Sequence, residues 1–470
     1  MSVALSPPLR SVPRTDPGRI PALVDGLRST FESGRTRPLA WRRSQLRQLQ
    51  ALARDHGDEL VEALRADLGK PPLEAYAADI GQVTVEARLA LRNLKRWTRP
   101  ERGSWIPIPG STRVVREPLG VVLIIAPWNY PVGLLLSPLV GAIAAGNCAL
   151  LKPSEVTLHT SGMLARLVPE YLDPDAVRLV EGGVDETTAL LEQRFDHVFY
   201  TGGGRVGRVV MRAAAEHLTP VTLELGGKSP CIVDSDAPIA VTARRIAWGK
   251  FLNAGQTCVA PDYVLVHESR EQELIQELQR SVREFYGPDP KDSPDYARVV
   301  SPSHHERLVA LLQSGEVAFG GDFDASKRYL APTVLRGVSP DSPVMRDEIF
   351  GPILPVLTVR SREEAIEFVN AREKPLALYV FSSDPEAARV VVERTSSGGV
   401  CVNGTILHIS NSALPFGGVG ESGMGAYHGR HTFETFSHRK SVMTRGLRFD
   451  PKLMYPPYSD RKTRVVRRFL

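Results

Sequence analysis

The chain has 470 residues, more than the roughly 250–300 at which one hydrophobic core stops growing, so two or more domains are expected. Its 58 basic and 53 acidic residues nearly balance, and the last ten residues hold much of the excess, which predicts a solvated basic tail instead of a nucleic-acid-binding face. Four widely spaced cysteines, without a Cys-x-x-Cys pair or a Cys/His cluster, argue against a disulfide scaffold or a metal site and favour a reducing, cytoplasmic setting.

The first half of the chain begins with a segment that has no apolar run of the kind found in a secretory signal. Residues 1–19 are rich in proline and arginine and are expected to be a disordered lead-in. Apolar residues then recur at three- and four-residue spacing over 20–100, which predicts helices. Proline, glycine and tryptophan interrupt this pattern over 100–118, which predicts a projecting hairpin or bridging segment. Short β-branched runs then alternate with helical segments, one of them capped by Ser154, and predict a doubly wound, parallel sheet over 20–225.

The second half repeats this alternation of helices and strands. It extends over 226–418 and predicts a second α/β domain. Residues 419–470 include a polar tail that is too short to fold alone, so this segment is expected to return and pack on something else. The predicted fold class is therefore α/β with two domains.

A cysteine and a glutamate are the most informative residues of the chain. A free thiol has a pKa of about 8.5, so Cys258 is useful as a nucleophile only where its surroundings favour the thiolate or a base takes its proton. Glu224, which precedes two glycines, could be that base. A buried structural cysteine and an ordinary strand-end carboxylate remain open alternatives. The other cysteines lie in apolar, strand-like runs typical of structural burial: Cys148, Cys231 and Cys401.

An asparagine follows the first predicted strand of the sheet. Asn129 lies between Pro127 and Pro131, which restrict the backbone on both sides. A fixed, neutral N–H donor is what a transition state with oxyanion charge requires. An asparagine that only shapes a turn is the alternative.

Three further segments could hold a nucleotide. The glycine-rich turn Thr201–Gly207 joins a strand to a helix and would present backbone N–H groups to a phosphate. Lys152 and Glu155 follow another strand, at the sheet edge where nucleotides bind, and could hold ribose hydroxyls. Glu348 could hold a ribose diol, and Phe350 could support a planar ring. The alternatives are a plain tight turn, a surface lysine beside a helix cap, and a turn before a strand.

Taken together, these motifs resemble the aldehyde dehydrogenase superfamily over nearly all of residues 20–460. The stretches around Glu224 and Cys258 are similar to its two active-site signatures, in the same order and spacing. Within the superfamily the chain resembles class 3. The segments that carry this closer resemblance are Asn129–Pro131, Ala260–Tyr263, Gly417–Gly429, Phe433–His438 and Tyr455–Pro457.

The resemblance implies oxidation of an aldehyde to a carboxylate with NAD(P). It implies a Rossmann-like NAD(P)-binding domain, a catalytic domain and a small bridging and oligomerisation element. It assigns Cys258 as the nucleophile, Glu224 as the base that releases the acyl group, and Asn129 as an oxyanion donor beside the Cys258 backbone N–H. The residues that it assigns to the cofactor are Lys152, Glu155, Gly202, Gly203, Gly207, Glu348 and Phe350. NAD is the expected cofactor, because an acid at Glu155 suits a free 2′-hydroxyl, and NADP is also possible in this class.

The resemblance also implies an apolar substrate and a homodimer. The residues that it assigns to the substrate tunnel are Tyr76, Tyr130, Leu134, Ile406 and His431. Most are apolar or aromatic, which favours medium- or long-chain aliphatic or aromatic aldehydes. The dimer would place the 100–118 segment and the tail near its interface.

Two departures from the family pattern affect these expectations. Gly203 stands where the family commonly has serine, so it would bind phosphate through its backbone alone. The chain also ends without the apolar membrane anchor of some class 3 members, so no membrane anchor is expected.

Two other functions remain open. A CoA-acylating dehydrogenase or acyl-CoA reductase would use the same thioester, although the presence of Glu224 favours hydrolysis. A non-enzymatic structural or binding protein could share the fold, although the set of Cys258, Glu224 and Asn129 argues against it.

Overall fold

The computed structural model describes residues 14–103, 110–448 and 450–469. Residues 1–13 of the expected lead-in and 104–109 of the expected bridging segment lie outside the described residues. The rest of the expected lead-in is ordered and not disordered. The Thr15 N–H donates to the Glu181 carbonyl at 3.0 Å, and Asp16 caps a 3₁₀ turn, so hydrogen bonds to the body of the protein order this segment.

The strands within the described residues belong to four sheets. In chain order they are β1 (Glu101–Arg102), β2 (Ser111–Pro118), β3 (Val121–Ile125), β4 (Cys148–Lys152), β5 (Val177–Leu179), β6 (His197–Thr201), β7 (Val221–Glu224), β8 (Pro230–Val233), β9 (Tyr263–His267), β10 (Glu316–Phe319), β11 (Phe323–Asp324), β12 (Tyr329–Leu330), β13 (Thr333–Arg336), β14 (Ile353–Val359), β15 (Ala377–Phe381), β16 (Gly399–Val402), β17 (Gly423–Met424) and β18 (Ser437–Thr444).

The helices occur from the beginning to the end of the described chain. They are α1 (Ile20–Glu32), α2 (Leu39–Asp55), α3 (Gly57–Leu68), α4 (Pro72–Ala75), α5 (Gly81–Trp97), α6 (Gly133–Ala145), α7 (Leu158–Tyr171), α8 (Val184–Leu191), α9 (Gly204–Glu216), α10 (Ile239–Phe251), α11 (Glu271–Tyr286), α12 (Pro302–Leu311), α13 (Pro343–Arg346), α14 (Arg362–Asn370), α15 (Pro385–Arg394), α16 (Arg430–Thr435) and α17 (Asp460–Phe469). A π-helical segment, Tyr76–Ile80, joins α4 to α5.

The first sheet has the strand order β17-β7-β6-β3-β4-β5, and its strands are parallel except for β17. Every residue of β3, β4 and β6 is buried, because helices cover both faces. Val122 and Ile124 of β3 pack in the core that includes α5 and α6. Val121 and Leu123 point the opposite way, into the core that includes α1.

The second sheet has the order β10-β13-β14-β9-β8-β15-β16 and is parallel except for β10. One of its inner strands, β15, was not predicted from the sequence, since it is a short apolar run without a distinct alternation. The inner strand β8 contains Cys231, whose run was predicted to be strand-like. The two parallel sheets with flanking helices confirm the predicted α/β fold class. The predicted domain boundaries stay predictions.

The end of the chain returns to its first half. β18 pairs antiparallel with β2 along its full length, from Ser437 opposite Pro118 to Thr444 opposite Ser111. Together with β1 they form a three-stranded sheet, which unites the described part of the 100–118 segment with the tail. None of the helices in the described ranges is long and apolar enough to cross a membrane.

Candidate active site

Two clefts meet at the thiol of Cys258. The first, about 270 Å³, lies at the carboxyl ends of β3, β6 and β7, and we call it the strand-end cleft. The second, about 390 Å³, has mainly apolar walls, and we call it the apolar cleft. Cys258 and Leu134 line both. A thiol in this place can contact molecules bound in either cleft.

The loop that carries Cys258 has an unusual backbone. Asn253, Ala254 and Gly255 have φ angles of 51°, 51° and 73°, in the left-handed region. A non-glycine residue in this region costs roughly 1–2 kcal/mol, so surrounding contacts must hold the loop. At Gly255 a Cβ atom would lie 2.2 Å from the carbonyl oxygen of Gly351, so only glycine fits there.

Gln256 supplies contacts that hold this loop. Its side-chain amide donates to the carbonyls of Asn253 and Arg298, each at 2.9 Å. Its side-chain oxygen accepts the Val300 N–H at 2.9 Å. A buried amide with its donors and acceptor satisfied rigidifies its surroundings. Cys258, two residues further on, is therefore presented from a rigid segment.

Glu224 is the last residue of β7 and is 2% exposed. Burial raises the pKa of Glu224 to about 8, and a hydrogen bond with the Cys258 thiol opposes that rise. Burial, followed by the charges of Glu224 and Glu348, raises the pKa of Cys258 well above its usual range. The Glu224 carboxyl group and the Cys258 thiol are therefore both mainly protonated at neutral pH. The alternative of a remote structural cysteine does not fit a thiol that contacts a carboxyl group.

The other three cysteines have different surroundings. Cys148 and Cys231 are fully buried, as the sequence predicted. Cys401 is only half-buried, because β16 is the edge strand of its sheet. The expectation of structural burial was wrong for this residue.

Asn129 lies in the turn between β3 and α6 and is 2% exposed. Its side-chain Nδ2 donates to the Gln256 carbonyl at 3.1 Å, which ties the amide to the cysteine loop. Because Nδ2 carries two N–H bonds, one remains for another acceptor. Asn129 and Cys258 both line the strand-end cleft, so this amide can act as a donor beside the thiol.

The glycine-rich turn meets Glu224 at the end of the first sheet. Thr201 of β6 pairs with Glu224 of β7, and α9 begins directly after Gly203. A Cβ atom at Gly202 would lie 2.3 Å from the Tyr200 hydroxyl, whereas one at Gly203 would meet nothing within 4 Å. Gly202 is thus needed for close packing, and the backbone at Gly203 is open to an incoming group.

Lys152 ends β4, and its side chain is buried. Its Nζ donates to the Pro153 carbonyl at 2.8 Å and to the exposed Glu155 carboxylate at 3.3 Å. The alternative of a surface lysine beside a helix cap is therefore wrong. Ser154 caps no helix, since α7 begins only at Leu158 and the Ser154 hydroxyl accepts the nearby Val156 N–H.

Only some of the residues assigned to the cofactor line the strand-end cleft. Those that line it are Gly202, Gly203, Glu348 and Phe350. Lys152 and Glu155 extend from β4, the strand beside β3. Gly207 lies one turn into α9, and a Cβ atom there would meet the Leu225 side chain at 2.9 Å. These three are not among the described residues that line the cleft.

The opposite wall of the strand-end cleft contains residues that sequence reasoning missed. The Phe350 ring lies 5.2 Å from that of Trp128, which is also 5.2 Å from the imidazole of His304. Arg307 donates to the Ile349 carbonyl at 2.6 Å. His304 and Arg307 belong to α12, whose sequence shows only an ordinary amphipathic helix, so no local signal indicated them.

The apolar cleft includes three of the five residues assigned to the substrate. Tyr130, Leu134 and Ile406 line it, whereas Tyr76 and His431 are not among the described residues of its walls. Tyr76 is 49% exposed on the π-helical segment. The further residues in the walls include Glu74, Trp248, Leu407, Phe416, Tyr427 and His428. Tyr427 and His428 lie in the Gly417–Gly429 segment of the resemblance, which assigned them no role. Glu74, Trp248 and Leu407 lie in none of the segments that carry the resemblance.

Comparison with known proteins identifies the family. A family model described as the aldehyde dehydrogenase family matches residues 4–442. The chain belongs to this family. It is an NAD(P)-dependent aldehyde dehydrogenase, as the resemblance of its motifs implied.

Similar proteins align with nearly the whole length of this aldehyde dehydrogenase. It is 50% identical to aldehyde dehydrogenase family 3 member A2 of Rattus norvegicus, over 95% of this chain and 93% of the relative. It is 49% identical to a dimeric, NADP-preferring aldehyde dehydrogenase of Mus musculus, over 93% and 98%. A substrate-bound structure of AldH from Staphylococcus aureus superposes with a TM-score of 0.94 at 45% identity and covers 96% of this chain and 99% of that one.

The strand-end cleft of this aldehyde dehydrogenase contains groups that could contact part of a bound dinucleotide. Thr201 and Glu224 both line it, and each has a buried side-chain oxygen without a hydrogen-bond partner among the described residues. A buried polar atom without a partner is unfavourable until a ligand or water supplies one. At Gly226 a Cβ atom would overlap the Glu348 carboxylate, so these two segments can approach only because a glycine is present.

Proposed function

We propose that the enzyme oxidises apolar aldehydes, either medium- or long-chain aliphatic or aromatic, through covalent intermediates on Cys258. The observation that carries this proposal is the position of Cys258 where the apolar cleft meets the strand-end cleft. An aldehyde in the apolar cleft would reach the thiol on one side. The cofactor would reach it on the other, held by Lys152, Glu155, Gly202, Gly203, Gly207, Glu348 and Phe350.

The first step is the attack of the Cys258 thiolate, formed when the thiol releases its proton to solvent, on the aldehyde carbon. It forms a thiohemiacetal whose oxyanion accepts hydrogen bonds from the Asn129 amide and the Cys258 backbone N–H. Removing one such donor typically lowers a rate by about 10²–10³, so these bonds are a major part of catalysis. When bound, NAD(P)⁺ supplies the hydride acceptor that converts the adduct into a thioester. Glu224 then takes a proton from water, and the resulting hydroxide releases the carboxylate.

The pH dependence of thioester hydrolysis follows from the pKa of Glu224. Only its ionised form can accept a proton, and with a pKa of about 8 that form is a minority, about a tenth, at pH 7. The hydrolysis rate is therefore expected to rise with pH through about 8 and to level off above it. Rapid-quench measurements of thioester decay between pH 6 and 10 would check this rise. A rate that stays constant over this interval would contradict the role of Glu224.

The walls of the apolar cleft support the choice of substrate. Tyr130, Leu134 and Ile406 offer aromatic and aliphatic contacts, and no arginine is present among the described residues that line the cleft. A substrate carboxylate would find no arginine or lysine among the described residues of these walls, whereas a hydrocarbon chain or an aryl ring would be desolvated favourably. For the cofactor we propose NAD with NADP also accepted, because Glu155 suits a free 2′-hydroxyl.

The experiment that tests this function is NAD(P)H absorbance with a panel of aldehydes. Hexanal, decanal and benzaldehyde should be oxidised, and succinic semialdehyde, which carries a carboxylate, should be a poor substrate. Each assay is run with and without CoA. Turnover that requires CoA would support the acylating alternative, and no turnover with any aldehyde would support the non-enzymatic one.

We also propose that the enzyme is a homodimer. One relative is named as dimeric, and the sheet formed by β1, β2 and β18 is composed of the segments expected near the interface. Sedimentation-velocity ultracentrifugation should give a mass near twice the 51.6 kDa of one chain. A monomer that persists at all concentrations would contradict this assembly.

A further inference from the structure

A buried ion pair lies behind Asn129, and the proposed mechanism does not use it. The side chains of Lys70 and Asp79 are both fully buried, with Nζ and Oδ2 3.3 Å apart. The Lys70 Nζ also donates to the backbone carbonyl of Asn129 at 2.6 Å. It lies 3.9 Å from the centre of the Tyr130 ring. A single ammonium group therefore contacts two consecutive residues of the turn that carries the oxyanion donor.

The other contacts of this turn lead to the cysteine loop. The Asn129 carbonyl accepts a second hydrogen bond, from Asn253 Nδ2 at 3.1 Å. The same Asn253 amide group donates to the Gln256 carbonyl at 3.1 Å, which also accepts the Asn129 amide. The Tyr130 hydroxyl lies 2.6 Å from the hydroxyl of Thr257. The backbone and the side chain of Asn129 are therefore both connected to the loop before Cys258.

Asp79 connects the lysine to the helix that follows the turn. Its Oδ1 accepts the N–H of Gly133, the first residue of α6. At Gly133 a Cβ atom would lie 2.9 Å from the Asp79 carbonyl oxygen, so the two segments are in close contact. The turn that contains Asn129 is thus held by Lys70 at one end and by Asp79 at the other.

Burying the charges of Lys70 and Asp79 costs free energy, which indicates that this ion pair does more than stabilise the fold. A buried ion pair seldom contributes more to stability than well-packed hydrophobic residues of the same volume. Its distinctive property is geometric, because each partner requires specific neighbours in specific places. Here the neighbour is the residue whose amide must lie within hydrogen-bond distance of a transient oxyanion.

We infer that Lys70 is a positioning residue for oxyanion stabilisation, which acts by holding Asn129 in place. This inference rests on the proposed function. Without the Lys70 hydrogen bond, the Asn129 carbonyl keeps only the bond from Asn253 among the described residues, and the turn can shift. A displacement of about 1 Å at a reacting group can cost a factor of about 100 in rate.

The test is a double-mutant cycle on the pre-steady-state burst of NADH with hexanal. Lys70→Met, which preserves length but cannot donate, is expected to lower the burst rate about ten- to a hundredfold. Asn129→Ala is expected to lower it by about 10²–10³. In the Asn129→Ala background, Lys70→Met should cause almost no further loss, because the group that it positions is already gone.

Three outcomes would overturn the inference. One is a burst rate for Lys70→Met equal to that of the wild type. A second is the same fold-loss in both backgrounds, which would indicate a general structural role. The third is that Lys70→Met lowers the rate at which iodoacetamide alkylates Cys258 by the same factor as the burst rate. Alkylation forms no oxyanion, so such a loss would indicate an effect on the thiol itself. Absence of any NADH formation in the wild type would instead contradict the proposed function.

A second variant keeps the test valid if Lys70→Met does not fold. Lys70→Met/Asp79→Asn removes both charges of the pair, so residue 79 carries no uncompensated charge, and the amide oxygen of the substituted side chain can still accept the Gly133 N–H. This variant should fold, as judged by its melting temperature, and still show the lowered burst rate. A folded double variant with a wild-type burst rate would also overturn the inference.

Discussion

Replacing Cys258 with alanine is expected to lower aldehyde oxidation by a factor of roughly 10⁵ or more, the scale on which loss of a covalent nucleophile acts. Both clefts would persist, so binding of NAD should stay close to that of the wild type. The thiol contacts Glu224 and lines both clefts, and no other described cysteine does so. Steady-state NADH absorbance with hexanal measures the loss, and fluorescence titration with NADH measures the binding.

The chain offers a matched control for this substitution. Cys401 is also half-buried, but it lies on an edge strand of the second sheet and lines neither cleft. Cys401→Ala is expected to change the oxidation rate less than about twofold, because this partly buried side chain lies away from both clefts. Substantial activity in Cys258→Ala would exclude the covalent mechanism.

Replacing Glu224 with glutamine is expected to separate the two halves of the reaction. The amide keeps the shape of the side chain but cannot accept a proton from water, so hydrolysis should slow by about 10²–10⁴. The thioester should then accumulate, and stopped-flow absorbance should show a burst of about one NADH per active site followed by slow turnover. The rise of the hydrolysis rate through pH 8 should disappear in the same variant.

Glu181 provides the control for Glu224. Burial raises its pKa as well, and its Oε1 also has no partner among the described residues, yet it lines neither cleft. Glu181→Gln is expected to turn over like the wild type. If Glu224→Gln also turns over like the wild type, Glu224 is not the base.

Residues predicted from the sequence share one property, which is that local chain geometry positions them. Glu224 ends a strand, Asn129 lies in a turn bounded by prolines, and Gly203 precedes a helix. Because the carboxyl ends of parallel strands meet at one edge, such residues converge once the topology is right. Cys258 joins them through the left-handed backbone of its loop, which no sequence pattern indicates.

The positions of the assigned residues outside the clefts, and of those that sequence reasoning missed, depend on contacts between distant segments. Tyr76 and His431 were assigned by resemblance, yet neither is among the described residues of the apolar cleft. His304 and Arg307 face the strand-end cleft from a helix without a motif. Lys70 occupies an ordinary position between two helices, and its importance depends on its hydrogen bond to Asn129.

The sequence by itself determined the α/β class, the family and the chemical types at the site, because alternation of apolar runs and short motifs are properties of neighbouring residues. The tertiary structure alone decided which clefts meet at Cys258, how far burial raises the pKa of Glu224, and that a buried ammonium supports Asn129. These properties depend on the desolvation and hydrogen bonds that each side chain acquires from segments far away in the chain, and only the folded packing specifies them.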